Sequence, residues 1–402
     1  MSRILFAWEL GGGYGHLGPF RPIAQTLMAR GHQVTIAARD VEPTNIVFGN
    51  TAAGVIQAPV CTKTYNGLAE PPLNFAEILM RYGYLDQPLL NGLARAWRDL
   101  IRMAEPDMLI SDHAPTALLA ARGMPCTKIV TGSPFTIPPR SSPTPNMRPW
   151  VEVPLERLVN SDAAVLATVN ASLPDGMARL DTVAEIFGGA ELLLNGVPEL
   201  DPFAPREAGT YLGLHAGLIG KEAPQWPDGD GPRIFAYLRS DYRHIEATLA
   251  ALAASGARCV IFVHGAAPAL REKHQAGRLV FSAGLLDMDR AVTESDLCIC
   301  HGNFGTVMEV LRRGKPMVVL PVDLEKFLTA TAVERQNVGC CVHPDPENPD
   351  FNGAIRRALT DSSFKDSARA FAERHREPAI DTIVQRAADR IEALAQAGSR
   401  GG

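Results

Sequence analysis

No run of apolar residues in this chain is long enough to cross a bilayer, so a helical membrane anchor is not expected. The opening stretch, Met1-Ser2-Arg3-Ile4-Leu5-Phe6-Ala7-Trp8, is too short an apolar run for a secretory signal. It reads as a strand that breaks at Gly11-Gly12-Gly13. Excess positive charge is missing too: 39 Lys and Arg against 44 Asp and Glu leave a net charge of −5. Bulk charge therefore recruits neither nucleic acid nor an anionic membrane, and a nucleotide ligand would need a local site. The seven cysteines (Cys61, Cys126, Cys259, Cys298, Cys300, Cys340 and Cys341) form no Cys-x-x-Cys pair and match no zinc module. An odd, scattered set in apolar runs reads as reduced and buried, which points to the cytoplasm. Low-complexity tracts and short repeats are also absent.

What is present is a soluble globular composition, 46% apolar and 21% charged, over 402 residues, enough for two or three domains. Two segments share a plan. The first runs from the strand Ile4–Trp8 through a Gly-rich turn to an amphipathic helix, Pro22–Arg30, stopped by Gly31, and then to the strand Gln33–Ala37. Further strands are expected at Met108–Ser111, Thr127–Val130 and Ala163–Ala167. The second segment begins with a strand at Arg233–Leu238 and a helix over Tyr242–Ala254. Strands follow at Arg258–Val263, Arg278–Phe281, Leu297–Cys300 and Met317–Leu320. Nearly all-apolar strands alternating with helices argue for parallel sheets covered on both faces, hence two doubly wound, Rossmann-like α/β domains. The expected boundaries are a first domain over 1–205, a Pro- and Gly-rich linker over 206–232, a second domain over 233–380, and a helix and tail over 381–402. A Pro-rich stretch, Ser133–Trp150, reads as a long loop in the first domain.

The chemistry is concentrated after Leu297-Cys298-Ile299-Cys300. There a buried strand enters the turn His301-Gly302-Asn303-Phe304-Gly305-Thr306, and a helix is expected from about Thr306. Backbone N–H groups at a helix start lack intrahelical partners and carry partial positive charge, which suits a diphosphate. Glycines let the backbone approach phosphate oxygens. His301 can donate to an anionic oxygen, Thr306 can cap the helix, and Glu309, one turn on, can accept from ribose hydroxyls. A bare Gly-x-x-Gly reads first as an ordinary strand–turn–helix corner with a capping Thr.

The full string resembles the nucleotide-sugar signature of family 1 glycosyltransferases of the GT-B fold, the bacterial macrolide-type and UDP-glycosyltransferase family. That signature runs His-Gly-Gly-x-Gly-Thr-x-x-Glu-x-Leu, then Gly-x-Pro and an apolar strand ending in Pro. Arg313-Gly314-Lys315-Pro316 through Leu320-Pro321 supplies its second part. The opening Gly15-His16-Leu17-Gly18-Pro19 with Arg30-Gly31-His32-Gln33-Val34-Thr35 looks like the family's N-terminal motifs. Pro198-Glu199-Leu200-Asp201-Pro202 looks like its segment entering the linker.

The resemblance implies two domains facing across a cleft. It also implies inverting, metal-independent transfer of a sugar from a nucleotide diphosphate, UDP or dTDP, to a hydroxyl of a small, apolar acceptor such as a natural product or lipid. The nucleotide sugar is a co-substrate, and no further cofactor, metal, nucleic acid or stable membrane insertion is implied. His16 lies on the turn after the first strand, where the family's base sits, and imidazole suits that task. Asp112, after the strand Met108–Ser111, corresponds to the base's carboxylate partner, although it could instead N-cap the following helix. His113, next to it, reads as a plain loop residue, with an acceptor-side role as the alternative. Ser240 and Arg239 end the strand where the family contacts phosphates, and Leu285 stands in the loop that reads the nucleobase through backbone groups. Where many relatives carry Asp/Glu-Gln for the sugar hydroxyls, this chain has Glu325-Lys326, and a cation cannot accept as a glutamine amide does. That leaves open an acidic sugar, a deoxysugar, or a shifted register with Asp323 as the contact. The acceptor is expected among residues Tyr65–Trp97 and the Ser133–Trp150 loop, many of whose apolar residues also read as plain helix core. A sugar-nucleotide epimerase and a non-catalytic protein of the same fold are the alternatives.

Overall fold

The computed structural model describes residues 1–217, 220–275, 277–343 and 349–400. The contacts divide the chain into two compact units. The first is Met1–Asn195, Phe203–Leu212 and Asp381–Gly402; the second is Gly196–Pro202 and Gly213–Ile380.

The first unit is built on seven parallel strands: β1 (Arg3–Trp8), β2 (Gln33–Ala38), β3 (Gly54–Gln57), β4 (Met108–Asp112), β5 (Thr127–Gly132), β6 (Glu191–Leu194) and β7 (Thr210–Tyr211). Their order is β3-β2-β1-β4-β5-β6-β7, so the order in which strands are added reverses between β1 and β4. That reversal is the place where open α/β sheets gather functional side chains, at the carboxyl ends of the strands. The register there sets Trp8 beside Asp112.

The second unit has six parallel strands: β8 (Arg233–Arg239), β9 (Arg258–His264), β10 (Leu279–Phe281), β11 (Leu297–Cys300), β12 (Met317–Val319) and β13 (Gly339–Cys341), ordered β10-β9-β8-β11-β12-β13. Successive residues along β8, β11 and β12 serve two separate cores. Ile234, Ala236, Leu238, Leu297, Ile299 and Val318 pack on one face, and Phe235, Cys298, Cys300, Met317 and Val319 on the other. A strand buried on both faces must be apolar at every position, which is why these runs lack the alternation of a half-exposed strand. Each such Val, Leu or Ile contributes roughly 1.5–3 kcal/mol by leaving water.

Three expectations change. Ala163–Ala167 is not a strand but part of a helix, Leu155–Ala171. Leu158, Ser161, Asp162, Val165 and Val169 are its buried side chains, at the spacing of a helical face. The chain does not pass between units through one linker over 206–232. It crosses at 195/196, 202/203, 212/213 and 380/381, because Thr210–Tyr211 extends the first sheet while Val197 and Leu200 enter the second unit's core. Leu218 and Ile219 of the expected linker, and the last two residues of the expected tail, lie outside the described residues. Finally, the helix after β11 begins at Phe304, two residues before the expected Thr306.

Candidate functional site

In the first unit, His16 and Asp112 meet. A single turn of tight helix, Tyr14–His16, follows the glycine run, and the imidazole Nδ1 stands 2.8 Å from Asp112 Oδ1. With Nδ1–H donating to the carboxylate, the ring's lone pair sits on Nε2, the atom a general base uses. The Asp112 side chain is almost fully buried and that of His16 only partly so, at 3% and 13% exposure. Burial pushes the Asp112 carboxyl up, and the neighbouring His16 pulls it back down. Trp8 stacks on the imidazole with ring centroids 5.4 Å apart.

Two glycines make room for this pair. At Gly132 (φ +117°) a Cβ would lie 2.6 Å from Asp112 Oδ1; at Gly11 (φ +79°) it would lie 2.4 Å from His16 Nε2. Neither space nor backbone conformation admits a side chain at these positions. Gly132 ends the strand next to β4, one residue past the partner of Asp112 in the ladder, a relation visible only once β5 is paired. The reading of Asp112 as a helix cap is not what the structure has. The helix Pro115–Ala120 has Ala114 at its N-cap with no side-chain cap, and Asp112 turns to His16 instead.

His113 is buried, left-handed (φ +48°) and 5.9 Å from the His16 ring, centroid to centroid. Neither of its ring nitrogens finds a hydrogen-bond partner among the described residues. Burial, with His16 and Arg39 nearby, holds its pKa well below the usual range. A plain loop residue does not describe that setting.

Of the residues expected to receive an acceptor, Phe75, Tyr84, Leu90 and Trp97 are fully buried core. A cavity of about 500 Å³ in this unit is lined by Leu68, Glu77, Met80 and Arg81 of the expected Tyr65–Trp97 stretch, with Pro154 and Arg157 among others. None of its lining residues belongs to the dyad.

In the second unit the turn after β11 is held from several sides. Gly302 (φ +88°) is obligatory, because a Cβ there would lie 2.9 Å from both the Lys326 carbonyl and Val319 Cγ1. Gly305 is not confined this way; its nearest neighbour would be ordinary contact with Ala216 at 3.7 Å. Asn303 is the N-cap and is exposed, without a side-chain cap. The amides of the first turn, Phe304-Gly305-Thr306, therefore have no local side chain to satisfy them. Thr306 is buried inside that turn rather than capping it.

The expected donation from His301 to an anionic oxygen is corrected. Its Nδ1 lies 2.7 Å from the Leu320 carbonyl, and its Nε2 accepts the Arg239 N–H at 3.0 Å. Both ring nitrogens are occupied by backbone, and burial lowers the pKa, so this is a neutral strut joining β8, β11 and β12. Arg239 is likewise committed: its guanidinium forks onto Asp241 at 2.9 and 2.6 Å. Ser240 follows directly, its N–H bonded to the His264 carbonyl. The Leu285 carbonyl takes the amides of Lys221 and Glu222, leaving its N–H as the group that could read a nucleobase. Glu309 is buried and accepts from Arg312 at 2.5 Å, with its carboxyl pushed up by burial. Asp323 caps the helix Leu324–Arg335, and Lys326 folds its ammonium back onto that same aspartate. Sequence reading offered Asp323 only as a shifted sugar contact and missed Asp241, because pairing with a charged neighbour leaves no periodic trace. Among the described residues no three His, Cys, Asp or Glu side chains gather closely enough to hold a metal ion.

Residues 252–377 match the glycosyltransferase family 28 C-terminal domain. Over 94 residues the chain is 28% identical to a PGL/p-HBAD biosynthesis glycosyltransferase of Mycobacterium tuberculosis, a match covering 23% of this chain and 22% of that protein. The chain thus spans about a fifth of the length of the curated relatives it matches. Among solved structures, the kitacinnamycin glycosyltransferase superposes with a TM-score of 0.69 at 18% identity, covering 98% of this chain and 100% of that one. Glycosyltransferase VinC in complex with dTDP gives 0.66 at 17%, covering 96% and 100%. At such identities the likeness establishes the fold: two parallel-sheet units of the GT-B type.

Proposed function

We propose that this chain, which has the GT-B fold and whose residues 252–377 match the glycosyltransferase family 28 C-terminal domain, is an inverting glycosyltransferase that uses His16 as its base. The observation that carries this reading is the 2.8 Å contact between His16 Nδ1 and Asp112 at the carboxyl ends of β1 and β4. His16 Nε2 takes the proton from an acceptor hydroxyl, and Asp112 stabilises the imidazolium that forms. The acceptor oxygen bonds to the anomeric carbon from the face opposite the nucleotide. The bond from that carbon to the diphosphate oxygen breaks, and the diphosphate leaves with the electron pair. The product has the opposite anomeric configuration.

The leaving diphosphate is the charge that must be stabilised. The uncapped amides of Phe304, Gly305 and Thr306, approached past Gly302, supply that without a metal. Ser240 adds a hydroxyl on the neighbouring strand end. Arg239 contributes its charge only if phosphate displaces Asp241, and Glu309 reaches ribose only by exchanging Arg312. The family 28 match and the dTDP bound to VinC support a nucleotide donor of the UDP or dTDP kind. The likeness to natural-product enzymes supports an apolar hydroxylated acceptor. Glu325 remains the candidate contact for sugar hydroxyls. Lys326, neutralised by Asp323, is poorly placed to select an acidic sugar.

A thermal-shift series with UDP, dTDP and GDP tests the donor. A ligand that binds only the folded state raises the melting temperature, by about 2.7 kcal/mol of stability at 100 times its dissociation constant. UDP or dTDP is expected to shift the transition. No shift with any of the three contradicts the proposal and favours a non-catalytic protein of this fold.

A further inference from the structure

Glu9 is the first residue after β1 and is 1% exposed. A carboxyl group in that setting is costly unless it does something specific with its oxygens. Its Oε2 accepts the backbone N–H of Thr116 at 2.9 Å, a contact that spans 107 positions of sequence. Tyr84 Oη lies 2.9 Å from Thr116 Oγ1, so the hydroxyl beside that amide is held as well. Burial pushes the Glu9 carboxyl up to about 7, against the pull of the Thr116 hydroxyl and amide, the Ala117 amide and Arg39.

The helix that begins at Pro115, with Thr116 second, has no cap of its own, since Ala114 occupies the N-cap. A serine or aspartate at that position would have satisfied the amide locally. The chain instead brings a carboxylate from another strand. Between β4 and that helix runs Asp112-His113-Ala114, the turn that carries the aspartate of the pair. Two further contacts tie the same two strand ends: the β1–β4 ladder at Trp8 and Asp112, and the Leu10 N–H on the His113 carbonyl at 2.9 Å. His113 is held at φ +48°, which a residue with a side chain keeps only where its surroundings impose it.

We propose that Glu9 is a positioning residue for the His16–Asp112 pair, holding the turn after β4 through Thr116 so that Asp112 stays aimed at His16 Nδ1. This rests on the reading of His16 as a base, and Glu9 itself touches no reacting atom. Glu9 Oε1 makes no hydrogen bond among the described residues, so a glutamine, which keeps one acceptor oxygen, can do the same work.

The test compares Glu9→Ala with Glu9→Gln in the full chain, by two readouts. The first is kcat and KM for donor and acceptor. The second is the His16 Nδ1–H proton signal in the unliganded protein, which needs no substrate. Glu9→Ala is expected to lose that signal and to lower kcat by roughly 10- to 100-fold, the scale of a misplaced catalytic group, with donor KM little changed. Glu9→Gln is expected to restore both. A Glu9→Ala protein that folds with its signal and kcat intact overturns the proposal, as does loss of kcat with the signal unchanged. If the wild type transfers no sugar but the signal is lost in Glu9→Ala and kept in Glu9→Gln, the positioning role stands and the transferase reading falls. Should Glu9→Ala not fold, Glu9→Leu fills the space while leaving the Thr116 N–H without its acceptor. A broadened His16 signal supports the proposal there, and an unchanged one overturns it.

Discussion

Two histidines lie on turns at the carboxyl edges of the two sheets, one in each unit, and their partners suit them to opposite roles. His16 has a buried carboxylate on Nδ1 and a partly exposed ring. His301 has a carbonyl on Nδ1, a backbone N–H on Nε2, and a buried ring. A carboxylate stabilises the protonated form that a base must pass through, whereas two backbone groups fix a neutral tautomer. The residue type and the topological position are shared. What separates a ring suited to proton transfer from a scaffolding one is whether Nδ1 faces a carboxylate or a backbone carbonyl.

Exchanging the acid partner should have the largest effect. Asp112→Asn keeps the shape but no longer favours the tautomer with Nδ1–H or stabilises imidazolium, and kcat is expected to fall by about 10²–10⁴-fold with donor affinity retained. Steady-state transfer kinetics check this; activity within a few-fold of wild type would remove the asymmetry. On the other side, His301→Ala leaves the Arg239 N–H and the Leu320 carbonyl without their partner. The expected cost is about 1–3 kcal/mol of stability, read by chemical denaturation, together with weaker nucleotide binding.

A finer effect concerns Glu9. Its carboxyl is raised from the ordinary 4.5 to about 7, so between those values the folded chain holds a proton that the unfolded chain has released. The stability this group contributes is fully present below pH 4.5 and is lost as pH rises through 7, by up to about 3 kcal/mol. Arg39 and Tyr84 face the same carboxyl. Glu9→Gln removes the titration, so its stability relative to wild type should rise between pH 5 and pH 8. Comparing the two proteins at each pH cancels Asp112 and His113. A difference independent of pH would contradict the buried, titrating carboxyl.

Much of this was legible in the sequence because it follows from local pattern. The apolar runs of β8, β11 and β12 report burial on both faces. The turns at His16 and His301 announced themselves through glycine, and the ordered motifs led to the fold. What was not legible depends on pairing between distant segments. Ala163–Ala167 reads as a strand in isolation and is a helix once Leu158, Asp162 and Val169 are seen to share its buried face. Glu9 leaves no signal in the sequence, because its partner, Thr116, is 107 positions away. Arg239 and Lys326 looked like free cations until Asp241 and Asp323 were seen to take them. Gly132 gains its meaning only from the strand beside it.

The most direct test of the base assignment is sugar transfer and nucleotide affinity in His16→Ala, measured beside the wild type. Loss of transfer by at least about 10³-fold with nucleotide affinity unchanged within a few-fold is the predicted result. Transfer at the wild-type rate in His16→Ala would contradict it.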